Sequence, residues 1–357
     1  MTSEGESGTP TQRPAKRRRA ATIVDVARIA GVSQATASRA LNGSDRKVRE
    51  ENASRVLDAA RQLNYVPNAS AQSTRRGDRS TIALIISEVT DPYFSWIAEG
   101  VIERADFAGM HVTVSVTKRE ASRELELIRL FRSQRSRAII IAGSRRESGQ
   151  VASEIRDELE AYEADGGRAV DISESGMPFD AVELGNRRGA RALAQSLLDL
   201  GYQRFAVIAG PDERGAAEDR VIGFQDGLAA AGIELAAPLV LRGAFSWEGG
   251  HTVATEMSAS VLEQTEVLFA VNDMMALGAL AALRSRGVVV PTDIALAGYD
   301  DVAPLRDTVP ALTSVRIPLK QVGAQAVELG LTERGARTAV RSVEPSVQLR
   351  ASTPARG

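Results

Sequence analysis

The stretch that most constrains this chain is the run from Thr22 to Asn42, TIVDVARIAGVSQATASRALN. Its apolar residues recur at helical spacing from Ile23 to Ala30, and Gly31 then interrupts the pattern. Glycine readily adopts the left-handed conformation with which helices end, and Ser33 is a favourable cap for a second helix. The stretch therefore predicts two short helices joined by a tight turn, as in a helix-turn-helix.

The second of these helices has one apolar side and one side of short or polar residues. The side expected to be buried carries Ala37, Ala40 and Leu41. The opposite side carries Gln34, Ala35, Thr36, Ser38 and Arg39. A narrow, polar helix of this kind fits the major groove of DNA, although the spacing alone is equally compatible with an ordinary helical hairpin.

A third helix is predicted from about Arg49 to Leu63, with its apolar stripe formed by Ala53, Val56, Leu57, Ala60 and Leu63. Pro67 disfavours helix in the residue before it and ends this segment. The sequence thus predicts a small three-helix domain over residues 21–67, the head. Residues 68–80 are small, polar and basic, as in a linker, and are named the hinge.

Charge is unevenly distributed along the chain. Residues 1–80 contain 15 of its 44 Lys and Arg but only 8 of its 46 Asp and Glu, which leaves 29 and 38 for the rest. Residues 1–20 are poor in apolar residues and end in the basic run Lys16–Arg19, so we expect a disordered basic tail. A basic N-terminal part on an acidic remainder indicates that this part meets a polyanion.

Composition excludes several kinds of site. The chain has no cysteine and two histidines, which excludes disulfides, thiol catalysis and Cys- or His-rich metal sites. No G-x-G-x-x-G, P-loop or G-x-S-x-G motif occurs, so we expect neither a cofactor nor an enzyme. No apolar run approaches the ~20 residues that span a membrane, and no apolar segment follows the basic N-terminus. These features predict a cytoplasmic protein without membrane partners.

Residues 81–357, the body, alternate apolar runs with helical segments. The runs are Ile82–Ile86, Val112–Val116, Ala138–Ile141, Phe205–Ala209, Val267–Val271 and Ile294–Ala297, and the helical segments include Tyr93–Phe107 and Asn186–Leu200. This alternation is typical of βαβ units around parallel sheets. We predict an α/β body of two doubly wound lobes with a cleft between them.

Five further motifs follow the Thr22–Asn42 stretch in order: LNYVPN from Leu63, DPYF at 91–94, NDMMALGAL from Asn272, GYDD at 298–301 and ALTSV at 311–315. Together these residues resemble the lactose-repressor/galactose-repressor (LacI/GalR) family of bacterial transcription regulators. The resemblance implies a homodimer on double-stranded operator DNA and a body folded like periplasmic sugar-binding proteins. It also implies that the chain crosses between the lobes near 184, 316 and 343.

The resemblance implies roles for particular residues of the head and hinge. Gln34, Ala35 and Arg39 become the base readers, which suits their chemistry, since glutamine pairs with adenine and arginine with guanine. Contacts with the phosphates of the DNA backbone are assigned to Thr22, Ser33, Thr36, Ser38 and Asn42. Further DNA contacts come from the hinge residues Asn68, Ala71, Thr74 and Arg75. Thr22 and Ser33 are equally well placed as plain helix caps, and the two roles are compatible.

In the body, the resemblance implies a small sugar-like effector bound by Asp91, Phe94, Arg220, Phe245, Asn272 and Asp300. Carboxylate, amide and guanidinium groups hold hydroxyls, and an aromatic ring stacks on an apolar sugar face. Arg220 and Asp300 are expected to lie across one cleft. Alternatives remain for some residues: Phe94 and Phe245 as core, Asp91 as a helix cap, and the pair Arg145-Arg146 as solvated surface.

Three positions depart from the family pattern. Arg49 stands where the third helix usually has a serine cap, so its first turn is expected to fray. Thr74 replaces the leucine that wedges between base pairs, which predicts a shallower kink in the operator. No leucine heptads follow Arg350, so no tetramer is expected.

Two other classes of protein share the α/β body. A periplasmic or transport-type binding protein is disfavoured by the basic helical head and the missing signal segment. An enzyme is disfavoured because no nucleophile–base–acid set is visible. A repressor controlled by an effector is therefore the preferred interpretation.

Overall fold

The computed structural model describes residues 21–42, 48–66, 79–143, 149–174, 176–211, 215–333, 335 and 338–356, without the side chain of Asn42. The chain divides into two compact units at residues 78 and 79, and each is described by itself. The predictions on the tail, on Asn68, Ala71, Thr74 and Arg75 of the hinge, and on Arg145 and Arg146 lie outside the described residues.

The head contains three helices: α1 (Ile23–Ala30), α2 (Gln34–Asn42) and α3 (Glu50–Gln62). A capping box between Thr22 and Asp25 begins α1, and Gly31 ends it in the left-handed region at φ 64°. These are the local signals that the sequence presents, and both act as expected. Arg49 makes no side-chain cap, and α3 begins one residue later than predicted.

One small core holds the three helices together. Its buried residues are Val26, Ala27, Ala30, Ala37, Val56, Ala59 and Ala60. The prediction for α3 was wrong at Leu57, which is 45% exposed, while Ala59 is buried in its stead. The reason is geometric: Val56, Ala59, Ala60 and Leu63 follow the i, i+3, i+4, i+7 pattern, and Leu57 points away from that stripe.

The body contains two six-stranded sheets, which define its lobes. Lobe 1 has the order β11-β5-β4-β3-β1-β2 and lobe 2 the order β12-β10-β9-β8-β6-β7. The strands of lobe 1 are β1 (Thr81–Ile86), β2 (His111–Val116), β3 (Ala138–Ala142), β4 (Arg168–Ile172), β5 (Asp180–Glu183) and β11 (Val340–Ser342). Those of lobe 2 are β6 (Phe205–Ala209), β7 (Val240–Arg242), β8 (Val267–Ala270), β9 (Ala295–Asp300), β10 (Thr313–Arg316) and β12 (Ser346–Gln348).

Helices connect the parallel strands. In chain order they are α4 (Pro92–Phe107), α5 (Ala121–Ser133), α6 (Gln150–Ala164), α7 (Asn186–Asp199), α8 (Ala216–Ala229), α9 (Trp247–Glu256), α10 (Ala259–Glu263), α11 (Asp273–Ser285) and α12 (Leu319–Leu331). Pairing is parallel except between β10 and β12. The result is the predicted pair of doubly wound parallel sheets.

Three segments carry the chain between the lobes. The first follows Glu183 and leads into α7, the second follows Arg316 and leads into α12, and the third runs from Ser342 to Ser346. In each lobe the strand order reverses beside the first strand, between β1 and β3 and between β6 and β8. Doubly wound sheets bind ligands outside the carboxyl ends of the strands at such a reversal, which places a cleft there.

Six of the observed strands were not predicted from the sequence. Three of them, β7, β11 and β12, have only three residues each and are not buried. In β4 the charged residues Arg168 and Asp171 are buried, because Arg168 pairs with Asp180 of β5 inside the lobe. A charged residue at a core position hides the apolar pattern by which a buried strand is found.

Close helix packing in lobe 1 depends on two glycines that face each other. A Cβ on Gly100 of α4 would overlap the carbonyl oxygen of Lys320, and one on Gly323 of α12 would overlap that of Ile97. Alanine ordinarily stabilises a helix interior by about 1 kcal/mol relative to glycine. Here backbone lies against backbone, so the two helices must separate to admit a methyl group.

We therefore expect Gly100→Ala to destabilise the body by about 2 kcal/mol, against its helix propensity, because overpacking costs roughly 1–3 kcal/mol. Chemical denaturation followed by circular dichroism measures the change. Gly109→Ala is the control, since no atom lies near its added Cβ and only its left-handed backbone, at φ 68°, opposes the substitution. A Gly100→Ala variant as stable as the wild type contradicts the packing argument.

Candidate functional site

The candidate base readers lie on the surface of the head. Gln34, Ala35 and Arg39 are exposed on one side of α2, whereas Ala37 on the opposite side is fully buried. Thr36 and Ser38 are half-buried beside them. The structure thus gives α2 a polar outer side that is free of large apolar residues.

Both candidate caps make the expected hydrogen bonds. Ser33 accepts a hydrogen bond from the Thr36 amide at 3.1 Å, and its hydroxyl lies 2.8 Å from that of Thr36. Thr22 accepts from the Asp25 amide at 3.3 Å, and the Thr22 hydroxyl donates to the Asp25 carboxylate at 2.7 Å. Hydrogen bonds from Thr22 lower the pKa of Asp25 to about 2. Two helix N-termini are therefore fixed at the head surface, and such termini bind phosphate oxygens.

In the body, the central feature of lobe 2 is a buried ion pair. Arg220 of α8 and Asp300 at the end of β9 lie 2.9 Å apart and are 2% and 6% exposed. The prediction that they face each other across the cleft was wrong: both belong to lobe 2 and contact each other directly. Burial raises the pKa of Asp300 above its ordinary value, and the charge of Arg220 opposes that rise.

Arg220 makes further contacts that fix its orientation. Its Nε donates to the Asn186 side-chain oxygen at 2.8 Å, and its Nη1 donates to the Val271 carbonyl at 2.8 Å. The guanidinium carbon lies 4.0 Å from the centre of the Tyr299 ring. The Tyr299 hydroxyl in turn donates to the Asn186 carbonyl at 3.0 Å. Arg220 thus joins α7, α8, β8 and β9 at one point.

Buried hydrogen bonds fix the turn after β9. Asp300 and Asp301 have φ values of 110° and 56°, a region that residues other than glycine seldom occupy. The buried carboxylate of Asp273 accepts from the Val302 amide at 2.8 Å and from the Ser314 hydroxyl at 2.7 Å. Ser314 accepts from the Asp301 amide at 3.1 Å. These bonds hold the unusual backbone that presents Asp300.

Asn272 follows β8 and Phe245 follows β7, two strands that β6 separates in the sheet and whose carboxyl ends lie at the same edge. The Asn272 side-chain oxygen caps α11 by accepting from the Met275 amide at 2.8 Å, a bond in which its amide nitrogen takes no part. Phe245 follows β7 and is half-buried. Together with Arg220 and Asp300, they place four of the six candidate effector residues at one end of the lobe 2 sheet.

Lobe 1 contributes the remaining two candidates. Asp91 caps α4, accepting from the Tyr93 amide at 3.0 Å, and burial raises its pKa. Phe94 is 4% exposed and packs in the core edge-on to Tyr93. This position matches the alternative interpretation of Phe94 as a core residue. Burial and then the negative charge of Asp300 raise the pKa of the Tyr93 phenol. Tyr93 of lobe 1 is therefore close to the ion pair of lobe 2.

Sequence reasoning missed several polar residues here, among them Asn186, Glu174, Tyr299, Tyr93 and Arg119. Glu174 follows β4 of lobe 1 and accepts two hydrogen bonds at 2.8 Å from Asn186, one from its amide N–H and one from its side chain. Tyr93 and Tyr299 stand inside the DPYF and GYDD motifs, in which the predicted effector residues were Asp91, Phe94 and Asp300. Glu174 carried no signal, because the strand before it was not predicted.

This arrangement suits a polar, uncharged ligand. Asp300 Oδ1, although near Arg220, is a buried acceptor without a well-oriented hydrogen bond among the described residues. A hydroxyl can donate to that oxygen, and the side-chain amide of Asn272 supplies a donor at the same end of the sheet. Phe245 adds an apolar ring. Few, well-placed polar groups next to an aromatic surface are the usual composition of a small-molecule site.

Two parts of the chain match families of known proteins. Residues 22–68 match the bacterial regulatory proteins of the lacI family, and residues 194–353 match a periplasmic binding protein-like domain. The transcriptional regulator CelR of Thermobifida fusca is 32% identical over 321 residues, which cover 88% of this chain and 92% of CelR.

Two solved structures extend the likeness to three dimensions. A lac repressor dimer bound to operator and an anti-inducer superposes with a TM-score of 0.76 at 25% identity, covering 94% of this chain and 100% of the other. A complex of CelR with cellobiose gives a TM-score of 0.67 at 28% identity, with coverage of 93% and 99%. Among the described helices of this chain, none is long and apolar enough to cross a bilayer.

The ion pair leads to a prediction about stability and pH. Replacing Arg220 by methionine is expected to cost about 3–5 kcal/mol near neutral pH, because Asp300 is left buried without its counter-charge. Removing Arg220 also raises the pKa of Asp300 further above its ordinary value of 3.8. The folded variant then binds a proton that the unfolded chain releases, so its stability falls as pH rises above ~4.

Denaturant titrations at acidic and alkaline pH measure this slope. The control is Arg220→Met combined with Asp300→Asn, which removes this titrating group and is expected to recover part of the stability and to show a smaller slope. If the single variant shows the same pH dependence as the double variant, Asp300 is not the group responsible.

Proposed function

This chain belongs to the LacI family of bacterial regulatory proteins, and we propose that it is a cytoplasmic repressor controlled by a sugar-like effector. The head binds operator DNA, and the effector binds in the cleft between the two lobes of the body. The observation that carries the proposal is the combination of a polar α2 surface in the head with the Arg220–Asp300 pair at the switch point of lobe 2.

In the head, α2 enters the major groove with Gln34, Ala35 and Arg39 toward the base edges. Arginine donates two hydrogen bonds to guanine, glutamine pairs with adenine, and the alanine methyl contacts thymine. Phosphate contacts come from Thr22, Ser33 and Thr36 at the N-termini of α1 and α2, and from Ser38 and Asn42. The hinge residues Asn68, Ala71, Thr74 and Arg75 complete the proposed DNA contacts.

Operator recognition requires two heads, which a homodimer supplies. A two-fold symmetric protein reads a near-palindromic site with one head on each half. The lac repressor structure to which this chain is similar is such a dimer on its operator. In lobe 1, α4 and β2 expose Ile102 and Val114 beside Val89, an apolar face that a second copy would cover.

The effector acts by changing the relation between the lobes. A ligand held by Asp300, Arg220, Asn272 and Phe245 from lobe 2 and by Asp91 from lobe 1 stabilises one lobe arrangement over others, with Phe94 supporting the lobe 1 side from the core. Because ligand and DNA then bind the same set of conformations with different affinities, each alters the affinity for the other.

A thermal-shift screen tests the effector class. The full-length protein is mixed with neutral sugars, including cellobiose and ribose, and separately with sugar phosphates and nucleosides. A ligand that binds only the folded state raises the melting temperature, and the increase grows with the logarithm of the ligand concentration above its dissociation constant. A neutral sugar that does so and also changes a gel shift on the promoter region of the protein's own gene supports the proposal. Stabilisation by nucleosides alone contradicts it.

Base reading is tested by selecting DNA sites with Arg39→Ala. Loss of a bidentate contact is expected to relax one base position in each half-site and to weaken binding by about 1–3 kcal/mol. The matched control is Arg28→Ala, which removes an exposed arginine of α1 that pairs with Asp25. Full selectivity in the Arg39 variant assigns that base contact to another residue.

The role of Asn272 is tested by separating its two functions. Asn272→Ser keeps an oxygen that caps α11 but removes the amide, whereas Asn272→Ala removes both. We expect the serine variant to keep its melting temperature and to lose about tenfold in affinity for the sugar found in the screen. The alanine variant should lose both stability and affinity. Calorimetry that finds unchanged affinity in the serine variant removes Asn272 from the site.

A further inference from the structure

A contact between the Arg119 guanidinium and the Phe245 ring joins the two lobes across the cleft. Arg119 is not among the proposed effector residues. Arg119 follows β2 of lobe 1, and Phe245 follows β7 of lobe 2. The guanidinium carbon of Arg119 lies 5.1 Å from the centre of the Phe245 ring. This is within the distance at which a cation is attracted to the face of an aromatic ring.

The backbone around Arg119 is held in an uncommon conformation. Lys118 and Arg119 both have positive φ values, 55° and 64°. The Lys118 amide donates to the Ser87 carbonyl at 2.9 Å, and the Arg119 amide donates to the Thr117 hydroxyl at 3.2 Å. Two consecutive left-handed residues other than glycine persist only where surrounding contacts fix them, and such turns often direct a functional side chain.

The acidic residues of lobe 1 do not fully occupy this guanidinium. Glu88 is 4.0 Å from Arg119, at the limit of an ion pair, and also accepts from the Thr90 hydroxyl at 3.1 Å. The carboxylate of Asp91 is close enough for the charge of Arg119 to lower its pKa. Both acids belong to the same lobe as Arg119, so neither opposes an opening of the cleft. The Phe245 ring belongs to the other lobe.

We infer that Arg119 is a positioning residue that favours the closed cleft by holding the Phe245 ring from the opposite lobe. Opening the cleft breaks this contact, whereas the contacts to Glu88 and Asp91 persist. Arg119 therefore raises the fraction of molecules in which both lobes meet a ligand. Where the effector site is as proposed above, that fraction scales the apparent affinity for the effector.

The absence of cysteine from the chain permits a direct test in the full-length protein. Ser122→Cys on α5 and Thr252→Cys on α9 introduce two exposed thiols, one on each lobe, for spin labels. Doubly labelled chains are mixed with an excess of unlabelled chains, so that an assembly contains at most one labelled subunit. Pulsed electron–electron double resonance then gives the distribution of distances between the two spin labels, and hence between the lobes, in the absence of any ligand.

In this background, Arg119→Ala is expected to reduce the ratio of closed to open molecules about two- to fivefold, the range that an exposed cation–π contact supports. Lys118→Ala is the matched control, because it removes one positive charge from the adjacent left-handed residue. It is expected to leave the distribution unchanged. An equal change in both variants, or none in Arg119→Ala, overturns the inference.

A double-mutant cycle identifies the partner. Phe245→Leu keeps an apolar side chain but removes the ring, and it is expected to shift the distribution as Arg119→Ala does. In the Phe245→Leu background, Arg119→Ala should then add nothing. If its effect persists in full, Arg119 acts through another group and the inference fails.

The two proposals fail separately. The distances are measured without ligand, so a failed sugar screen leaves this test intact. If instead a sugar binds but Arg119→Ala leaves the distances unchanged, the effector site stands and only the role of Arg119 is lost.

Discussion

The buried pair of Arg220 and Asp300 is the interaction on which the rest of lobe 2 depends. Removing two charges from water costs several kcal/mol per ion, and the attraction between them offsets this only when the geometry is good and further hydrogen bonds are satisfied. Here Arg220 also donates to Asn186 and Val271 and lies against Tyr299. An apolar pair would pack in the same space without that cost. The presence of an ion pair therefore indicates that this end of the sheet binds polar groups.

The same network reaches lobe 1 through the first crossing segment. Asn186 begins α7 and accepts from Arg220, while its amide groups donate to Glu174 after β4. A ligand that displaces or tightens the ion pair therefore acts on a residue that lobe 1 also holds. Only short segments connect the lobes: Leu184 and Gly185 separate β5 from α7, and Ile317 and Pro318 separate β10 from α12. Such short connections favour rotation of rigid lobes over deformation within them.

Local signals explain which parts of the fold were predictable. Thr22, Gly31 and Ser33 act on neighbours within four residues, so the ends of α1 and the start of α2 follow from the sequence. The long apolar runs also became strands. Arg220 and Asp300 were identified singly, but their pairing was not, because 80 residues separate them and nothing local records the contact. Strand β4 was missed for a related reason: Arg168 is buried there only because Asp180 meets it after folding.

The head and the body differ in what fixes their functional side chains. The core of the head consists of two valines and five alanines, which bury little apolar surface, so caps worth about 1 kcal/mol each contribute a large share of its stability. In the body, the backbone that presents Asp300 is held by the fully buried Asp273 and by Ser314. Local hydrogen bonds and a small core thus orient the outer side of α2. Hydrogen bonds between residues far apart in the sequence orient the side chains of the cleft. Substitutions at the caps should therefore disturb the candidate DNA surface alone, whereas substitutions in the buried network should reach every element that meets at the cleft.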